Sequence, residues 1–522
     1  ASILERLSLV WTSGKIYLGP LQIAGIRLNQ PIGISGERHI SVIANSGAGK
    51  SNLLTSMIAL HTSPKKRSGN AFVVDCDGKI FNTLHAQIRA TGKEVLAIDP
   101  YKQTGSTASW NIFAEFDFAE ENLGEDAAID FIGTASEALI RTLNTRNEWV
   151  HSEARSLVFS LLIFVWKFEK PENRNLIRFR ELLTIGMRGV VPDADPFMVL
   201  IGVMSQKTEI FGGIIAKGAK AIAASQGADG RNIPLTDARD QTKFLDLPYI
   251  QKICKKSNFK CADLKGNLSL FLVAPVTDLQ TKLSPFVRML TMMTMEIFQK
   301  VGARNQEVLL MVLDEMPSIG KIDILATAAP VFRKYGIRLV TVAQTVGKTG
   351  NLAATYPDEW EDFLANSEAC IWMSNSHIPT LEHLSSLLGT TTRKEKLKPS
   401  IWRRARNIEK TQTQRVERPL MYPHQLALYL DRNVIVTRSG KRPLRIKRGD
   451  YFKELPVKKY SADPHYGESI GRSLYRAIRF WILNDFRSQT ATHLESARVK
   501  TNQLVQKLKG RIWHKNSILK GK

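Results

Sequence analysis

The sequence predicts an α/β fold: a mostly parallel central sheet with an all-helical domain inserted into it. Three observations predict this. Short, continuous apolar runs recur at residues 40–44, 70–75, 94–99, 268–274, 308–313, 338–343 and 369–373, each ending in polar residues. Uninterrupted runs of this kind mark strands buried on both faces, as in parallel sheets. Helical periodicity fills most of the intervals between them. From about 113 to 263 that periodicity stands alone, as at Ala154, Leu157, Val158, Leu161 and Leu162. More helices on the same sheet would be the alternative there, but so long a stretch without a strand favours a separate insert.

The first strand leads into Ser41-Val-Ile-Ala-Asn-Ser-Gly-Ala-Gly-Lys-Ser51, and an apolar helix pattern (Leu53, Leu54, Met57, Ile58, Leu60) follows. Strand, glycine loop and helix in that order form the context of a P-loop. Ala44, Asn45, Ser46, Gly47, Ala48, Gly49, Lys50, Ser51 and Asn52 are the candidate ATP-binding residues. Loop amides and the helix N-terminus would cradle phosphates. Lys50 would reach the β- and γ-phosphates, and the Ser51 hydroxyl would hold Mg2+. The motif's first glycine is replaced by Ala44, which fits if the backbone there keeps a strand-like φ. The second and third strands end in Asp75 and Asp99, facing the crevice where parallel sheets bind ligands. Asp77-Gly78-Lys79 opens a helix.

After the insert, residues 268–274 resume the sheet. A helix follows at 283–300, whose methionines read as core packing. Residues 308–313 then run into Asp314 and Glu315, the pattern of a Walker B strand. Asp314 would hold the Mg2+ shell through water and Glu315 would polarise the attacking water. The next strand, 338–343, ends in Gln344, a candidate γ-phosphate sensor. Arg333 precedes that strand at an expected helix C-terminus. The expected strands close with 369–373 and 433–437. Residues 393–418 are a basic, mobile-looking segment. The stretch from Arg472 to Lys522 is basic, with Leu474, Ile478, Trp481 and Ile482 on one helical face. It would bind a partner or DNA, or stand as a solvated terminal helix.

The bulk composition narrows the function. Of 522 residues 43% are apolar and 23% charged, ample for sizeable cores, while a net charge of +24 points to a polyanionic partner. The four cysteines are scattered, which disfavours a zinc site and suits reduced thiols in a cytoplasmic compartment. No run reaches the roughly 20 apolar residues of a membrane span, and no signal peptide is evident. The chain opens at Ala1 without methionine, so an upstream segment is expected to be missing.

At the Walker B stretch the sequence resembles the type IV secretion coupling proteins, the TraG/TraD-like conjugative ATPases. The match lies in Leu313-Asp-Glu-Met-Pro-Ser-Ile-Gly-Lys321, Arg333-Lys-Tyr-Gly-Ile-Arg338 and Val342-Ala-Gln344. Trp110-Asn111, Trp360 with Asn366, residues 384–392, Arg418-Pro-Leu-Met421 and residues 434–443 agree too. Phe332 and Ile112 depart from the family pattern, as does Asp77-Gly78-Lys79, where Lys79 receives no role. The resemblance covers most of 15–455. It implies a RecA/FtsK-like P-loop ATPase of the FtsK/HerA type, forming a homo-hexamer at the cytoplasmic face of the bacterial inner membrane. Its membrane-spanning N-terminal helices would lie outside this chain. It further implies sequence-independent DNA binding, relaxase or secreted-protein cargo, and contact with secretion-channel components. Arg333 would be an arginine finger acting on the neighbouring subunit. A C-cap arginine on the helix dipole is the alternative.

The expected domains are therefore 1–112, the first part of the nucleotide-binding domain; 113–263, the helical insert, facing the cytoplasm and selecting cargo; 264–465, the second part; and 466–522, the basic tail. Two rival functions stand beside the coupling motor. One is a general DNA translocase. The other is a non-motor docking receptor for protein effectors.

Overall fold

A computed structural model describes residues 3–452, apart from 24–25, 37, 64–68, 106, 143–147, 189–193, 226–231, 303–307 and 398–411. The basic tail and the middle of the basic segment lie outside these residues. All described residues belong to one compact unit, 1–461.

Thirteen strands are described: β1 (Ile16–Ile23), β2 (Ile26–Ile34), β3 (His39–Ile43), β4 (Asn70–Asp75), β5 (Glu94–Ile98), β6 (Leu268–Val273), β7 (Leu309–Leu313), β8 (Ile337–Ala343), β9 (Ser367–Trp372), β10 (Thr390–Leu397), β11 (Gln412–Pro419), β12 (Asn433–Arg438) and β13 (Lys441–Lys447). Nine form one sheet in the order β13-β12-β9-β3-β8-β7-β4-β6-β5. The seven from β9 to β5 run parallel, and β12 and β13 continue the β9 side antiparallel. Parallel pairing puts the C-terminal ends of β3, β8, β7 and β4 side by side on one rim.

Alternation along each strand divides the packing. Ile40, Val42, Ala71, Val73, Leu310 and Val312 face the helices Lys50–His61 and Lys79–Ala90. Phe72, Val74, Leu309, Met311 and Leu313 face the opposite layer, led by the helix Ser284–Val301. Met289, Met293 and Met295 are fully buried there as core packing. This two-sided burial explains why the strands read as unbroken apolar runs.

Between β5 and β6, which pair with each other, every described element is helical. The helices share a continuous core with the sheet: Phe116, Phe131 and Leu161 join the same cluster as Ile98, Leu270 and Leu272. The excursion leaves and returns through one stitched crossing. Trp110 N–H donates to Ile253 O (2.7 Å), Asn258 N–H to Ser109 O (2.9 Å), and Asn111 N–H to Ser257 Oγ (2.8 Å). Buried Glu115 clasps both legs, since Oε1 accepts from Trp110 Nε1 and from Cys261 N–H, each at 2.8 Å. Far inside the insert, Arg180 forks onto Asp246 (2.9 and 2.7 Å) and donates to Arg239 O and Thr242 Oγ1. No described helix is long and apolar enough to cross a membrane.

A short helix, Ile3–Ser8, precedes the β1–β2 hairpin. One local outcome, in the basic 393–418 segment, differs from the sequence reading. The described parts of that segment are paired strands, β10 and β11. The nearly all-polar sequence of both strands lacks the period-2 signal that marks half-buried strands.

Burial raises the Glu115 carboxyl to about 7, against hydrogen bonds from Trp110 and Cys261 that pull it down. An acid raised in the folded state favours folding most below its unfolded value and loses that contribution as pH rises through the folded value. Glu115→Gln keeps an acceptor for both donors. It should stabilise the protein relative to wild type at pH 8 but not at pH 4, by a difference on the order of 3 kcal/mol. Denaturation midpoints of both proteins at the two pH values check this.

Candidate functional site

The glycine loop joins β3 to the helix Lys50–His61 at the C-terminal rim of the sheet. Gly47 (φ 75°) and Gly49 (φ 90°) both take left-handed conformations that a side chain would strain. Gly49 is the helix N-cap and supplies no side-chain bond, leaving the first helical amides open to an anion. Ser46 and Gly47 are exposed, while Asn45, Lys50, Ser51 and Asn52 are half-buried. Ala44 is fully buried, its φ is not positive, and its N–H donates to Ala343 O (3.0 Å). It therefore continues the β3–β8 ladder, which is why alanine serves where the motif has glycine.

The next strands place their polar ends around this loop. β8 lies between β3 and β7, so Gln344 stands between the P-loop and the acid pair. Lys50 Nζ makes an ion pair with Glu315 Oε1, both side chains being about a tenth exposed or less (11% and 7%). Gln344 Nε2 donates to Glu315 Oε2 at 3.1 Å. Asn375 Nδ2 donates to Gln344 O (2.7 Å) and steadies that turn. Glu315 itself sits in the left-handed region (φ 58°, ψ 48°), a costly conformation for a non-glycine and one that recurs at functional sites.

Asp314 and Asp75 end the adjacent strands β7 and β4, with Val74 and Leu313 in register just before them. Both are buried. Each keeps one carboxylate oxygen, Oδ1, without a hydrogen-bond partner. Burial raises Asp314 to about 6, with the Lys50 charge opposing and the Glu315 charge adding. Burial likewise raises Asp75 to about 7, against the Phe81 N–H that donates to its Oδ2 (2.8 Å). Orphaned carboxylate oxygens beside a phosphate loop suit a divalent cation. No set of three His, Cys, Asp or Glu ligands gathers among the described residues. The donors fit Mg2+, which keeps waters and phosphate oxygens as most of its shell. Asp314 and Ser51 would hold it, and its charge would offset that of the transferring phosphoryl group. Asp75 is the residue that the sequence left without a role. Its nearness to Asp314 follows from strand order, which no local pattern displays. Asp99 instead closes its own turn, accepting from Thr104 N–H and Thr104 Oγ1.

Arg333 is not brought to this cluster. It lies in the turn Arg333–Tyr335, before β8, whereas Lys50, Glu315 and Gln344 lie beyond the other end of that strand. Seven residues of strand span about 20 Å, more than an arginine can reach. Its side chain is exposed and borders a cleft of about 350 Å3 with His61, Gly36 and Val308.

A phosphate loop, a strand-end acid pair and a strand-end glutamine on a parallel sheet define a P-loop NTPase-type fold. The comparisons name the family. The model for type IV secretory system conjugative DNA transfer matches residues 29–470, and the chain belongs to that family. The conjugal transfer protein TraG of Rhizobium radiobacter is 24% identical over 444 residues, covering 81% of this chain and 63% of TraG. VirD4 of Agrobacterium fabrum is 24% identical over 217 residues, covering 41% of this chain and 32% of VirD4. The chain thus spans less than two thirds of these relatives. Among solved structures, the bacterial conjugative coupling protein TrwBΔN70 superposes with a TM-score of 0.61 at 18% identity, covering 87% of this chain and 92% of that one. TrwB in complex with ADP and Mg2+ gives a TM-score of 0.60 at 17% identity, covering 86% and 93%.

The loop geometry makes a discriminating prediction. Ala44→Gly should leave nucleotide affinity within a few-fold of wild type, because nothing at that position requires a positive φ. Gly49→Ala should lower the stability of the protein by about 1–2 kcal/mol, the cost of a left-handed alanine. Titration with a fluorescent ATP analogue reads the first, and denaturation midpoints read the second.

Proposed function

We propose that this chain is the ATP-driven coupling protein of a type IV secretion or conjugation system. It hydrolyses ATP with Mg2+ at the interfaces of a homo-hexamer. Turnover recruits DNA, as a relaxase–DNA complex, or protein substrates, and passes them to the secretion channel at the cytoplasmic face of the inner membrane. The observation that carries this reading is the cluster of Lys50, Glu315 and Gln344 at the mouth of an open glycine loop. Family membership supports the transfer role, and the nucleotide-bound TrwB structures support ATP as the ligand.

In this reading the loop amides and Lys50 bind and orient the phosphates. Glu315, released from Lys50 as the phosphates take its place, accepts the proton of the attacking water. Gln344 positions that water. Arg333, remote from its own site, completes the neighbour's site and stabilises charge on the transferred phosphoryl group. A docking-receptor reading draws support from the insert, where a cavity of about 860 Å3 is bordered by the exposed Met198 and Ile233 and by the His151–Asp237 pair.

ATP turnover measured across protein concentrations, with and without single- and double-stranded DNA, tests the motor. The rate should rise with both. Glu315→Gln should lower it by about 10²–10⁴-fold and Arg333→Ala by about 10³-fold or more, with nucleotide affinity retained. Turnover indifferent to DNA and concentration would favour the receptor.

A further inference from the structure

We propose that the two-stranded ribbon β10–β11 is a DNA-contacting arm that holds duplex backbone phosphates without reading sequence. The proposal rests on the DNA-transfer reading above and adds where the DNA is gripped.

The ribbon stands apart from the nine-stranded sheet as a sheet of its own, paired from Thr390↔Pro419 to Leu397↔Gln412. Its strands, Thr-Thr-Thr-Arg-Lys-Glu-Lys-Leu and Gln-Thr-Gln-Arg-Val-Glu-Arg-Pro, are almost wholly polar in sequence. A solitary two-stranded ribbon is marginally stable in water. Five cations (Arg393, Lys394, Lys396, Arg415, Arg418) stand against two carboxylates, Glu395 and Glu417. Glu417 already accepts from Thr390 Oγ1 at 2.5 Å. The register sets Lys394 directly opposite Arg415. Arg393 and Arg415 are exposed.

The neutral residues fit the same partner. Threonine hydroxyls and glutamine amides donate to phosphate and sugar oxygens, contacts that position a duplex without specifying a base. A two-stranded ribbon is also of a size that the major groove admits. An anionic membrane would instead select a stretch rich in apolar residues beside the cations, and the two strands carry only Leu397, Val416 and Pro419. The ribbon leaves the body at Gly389, whose carbonyl accepts from Leu420 N–H (2.9 Å). Nearby Leu387 shares a cleft with Ser367, at the start of β9. The arm is therefore rooted toward the rim opposite the glycine loop, clear of the nucleotide.

The test is the salt dependence of binding to a short random-sequence duplex by the full chain. The ribbon variant R393Q/K394Q/R415Q is set against K348Q/K441Q/R442Q, which removes equal charge elsewhere, and against the charge-keeping R393K/R415K. The ribbon variant should lower the slope of log affinity against log salt by about 2–3, since each lost phosphate contact contributes roughly 0.9. The control should move it by less than 1 such contact, and R393K/R415K should keep the wild-type slope. Equal slopes for the ribbon variant and the control, with wild type binding duplex, would overturn the arm and leave the DNA-transfer reading standing. Wild type that binds single-stranded DNA but not duplex at low salt would overturn the arm alone, and wild type that binds neither would overturn the DNA-transfer reading and the arm with it. Ribbon-dependent binding to phosphatidylglycerol vesicles with an unchanged DNA slope would overturn the DNA assignment in favour of a membrane contact.

Discussion

The ion pair between Lys50 and Glu315 is the interaction on which the rest of the site depends. Two charges this poorly exposed each carry a desolvation cost that only good partners offset. Lys50 finds a carboxylate, and the second oxygen of that carboxylate finds Gln344. Glu315 takes a left-handed backbone conformation in this pairing. In the proposed mechanism, phosphates arriving on the loop would offer Lys50 a stronger partner and make Glu315 available to water, so that the resting and working sites would be two pairings of one lysine.

Sheet order makes that pairing possible. Residues from three separate stretches of chain meet because β3, β8 and β7 are consecutive in space and parallel in direction. The same parallel direction sends Arg333 to the other rim. An arginine so placed cannot serve its own subunit, and its exposure leaves it free to meet another. Strand polarity therefore puts Arg333 and the Lys50–Glu315–Gln344 cluster on opposite rims of the sheet. The insert enters between the paired β5 and β6 and is stitched at Trp110, Asn111 and Glu115, so it extends the edge of the sheet without disturbing the rim that carries the glycine loop.

Much of this was legible in the sequence because two-sided burial writes strands as unbroken apolar runs. The loop at Ser46–Lys50 and the acids at Asp314–Glu315 stand out against such runs. The Ala44 substitution was readable as harmless once a strand-like backbone was assumed. What escaped depends on long-range partners or on absent contrast. Asp75 beside Asp314 needs the strand order. Asn375 behind Gln344 needs the return of β9 to the rim. The β10–β11 ribbon is almost wholly polar in sequence, so no alternation announces it. β13 buries only Leu444 and Ile446 on a basic edge, so its alternation is faint.

The central claim is that one nucleotide site is built from two subunits. The most direct measurement mixes two inactive proteins, Glu315→Gln and Arg333→Ala, and follows ATP turnover under conditions where rings form. A shared site predicts recovery, because an Arg333→Ala subunit keeps its acid and receives the arginine of a Glu315→Gln neighbour. Random assembly around a ring of heterologous interfaces would restore roughly a quarter of the sites. A mixture no more active than its two components, with mixed rings demonstrably formed, would contradict the account.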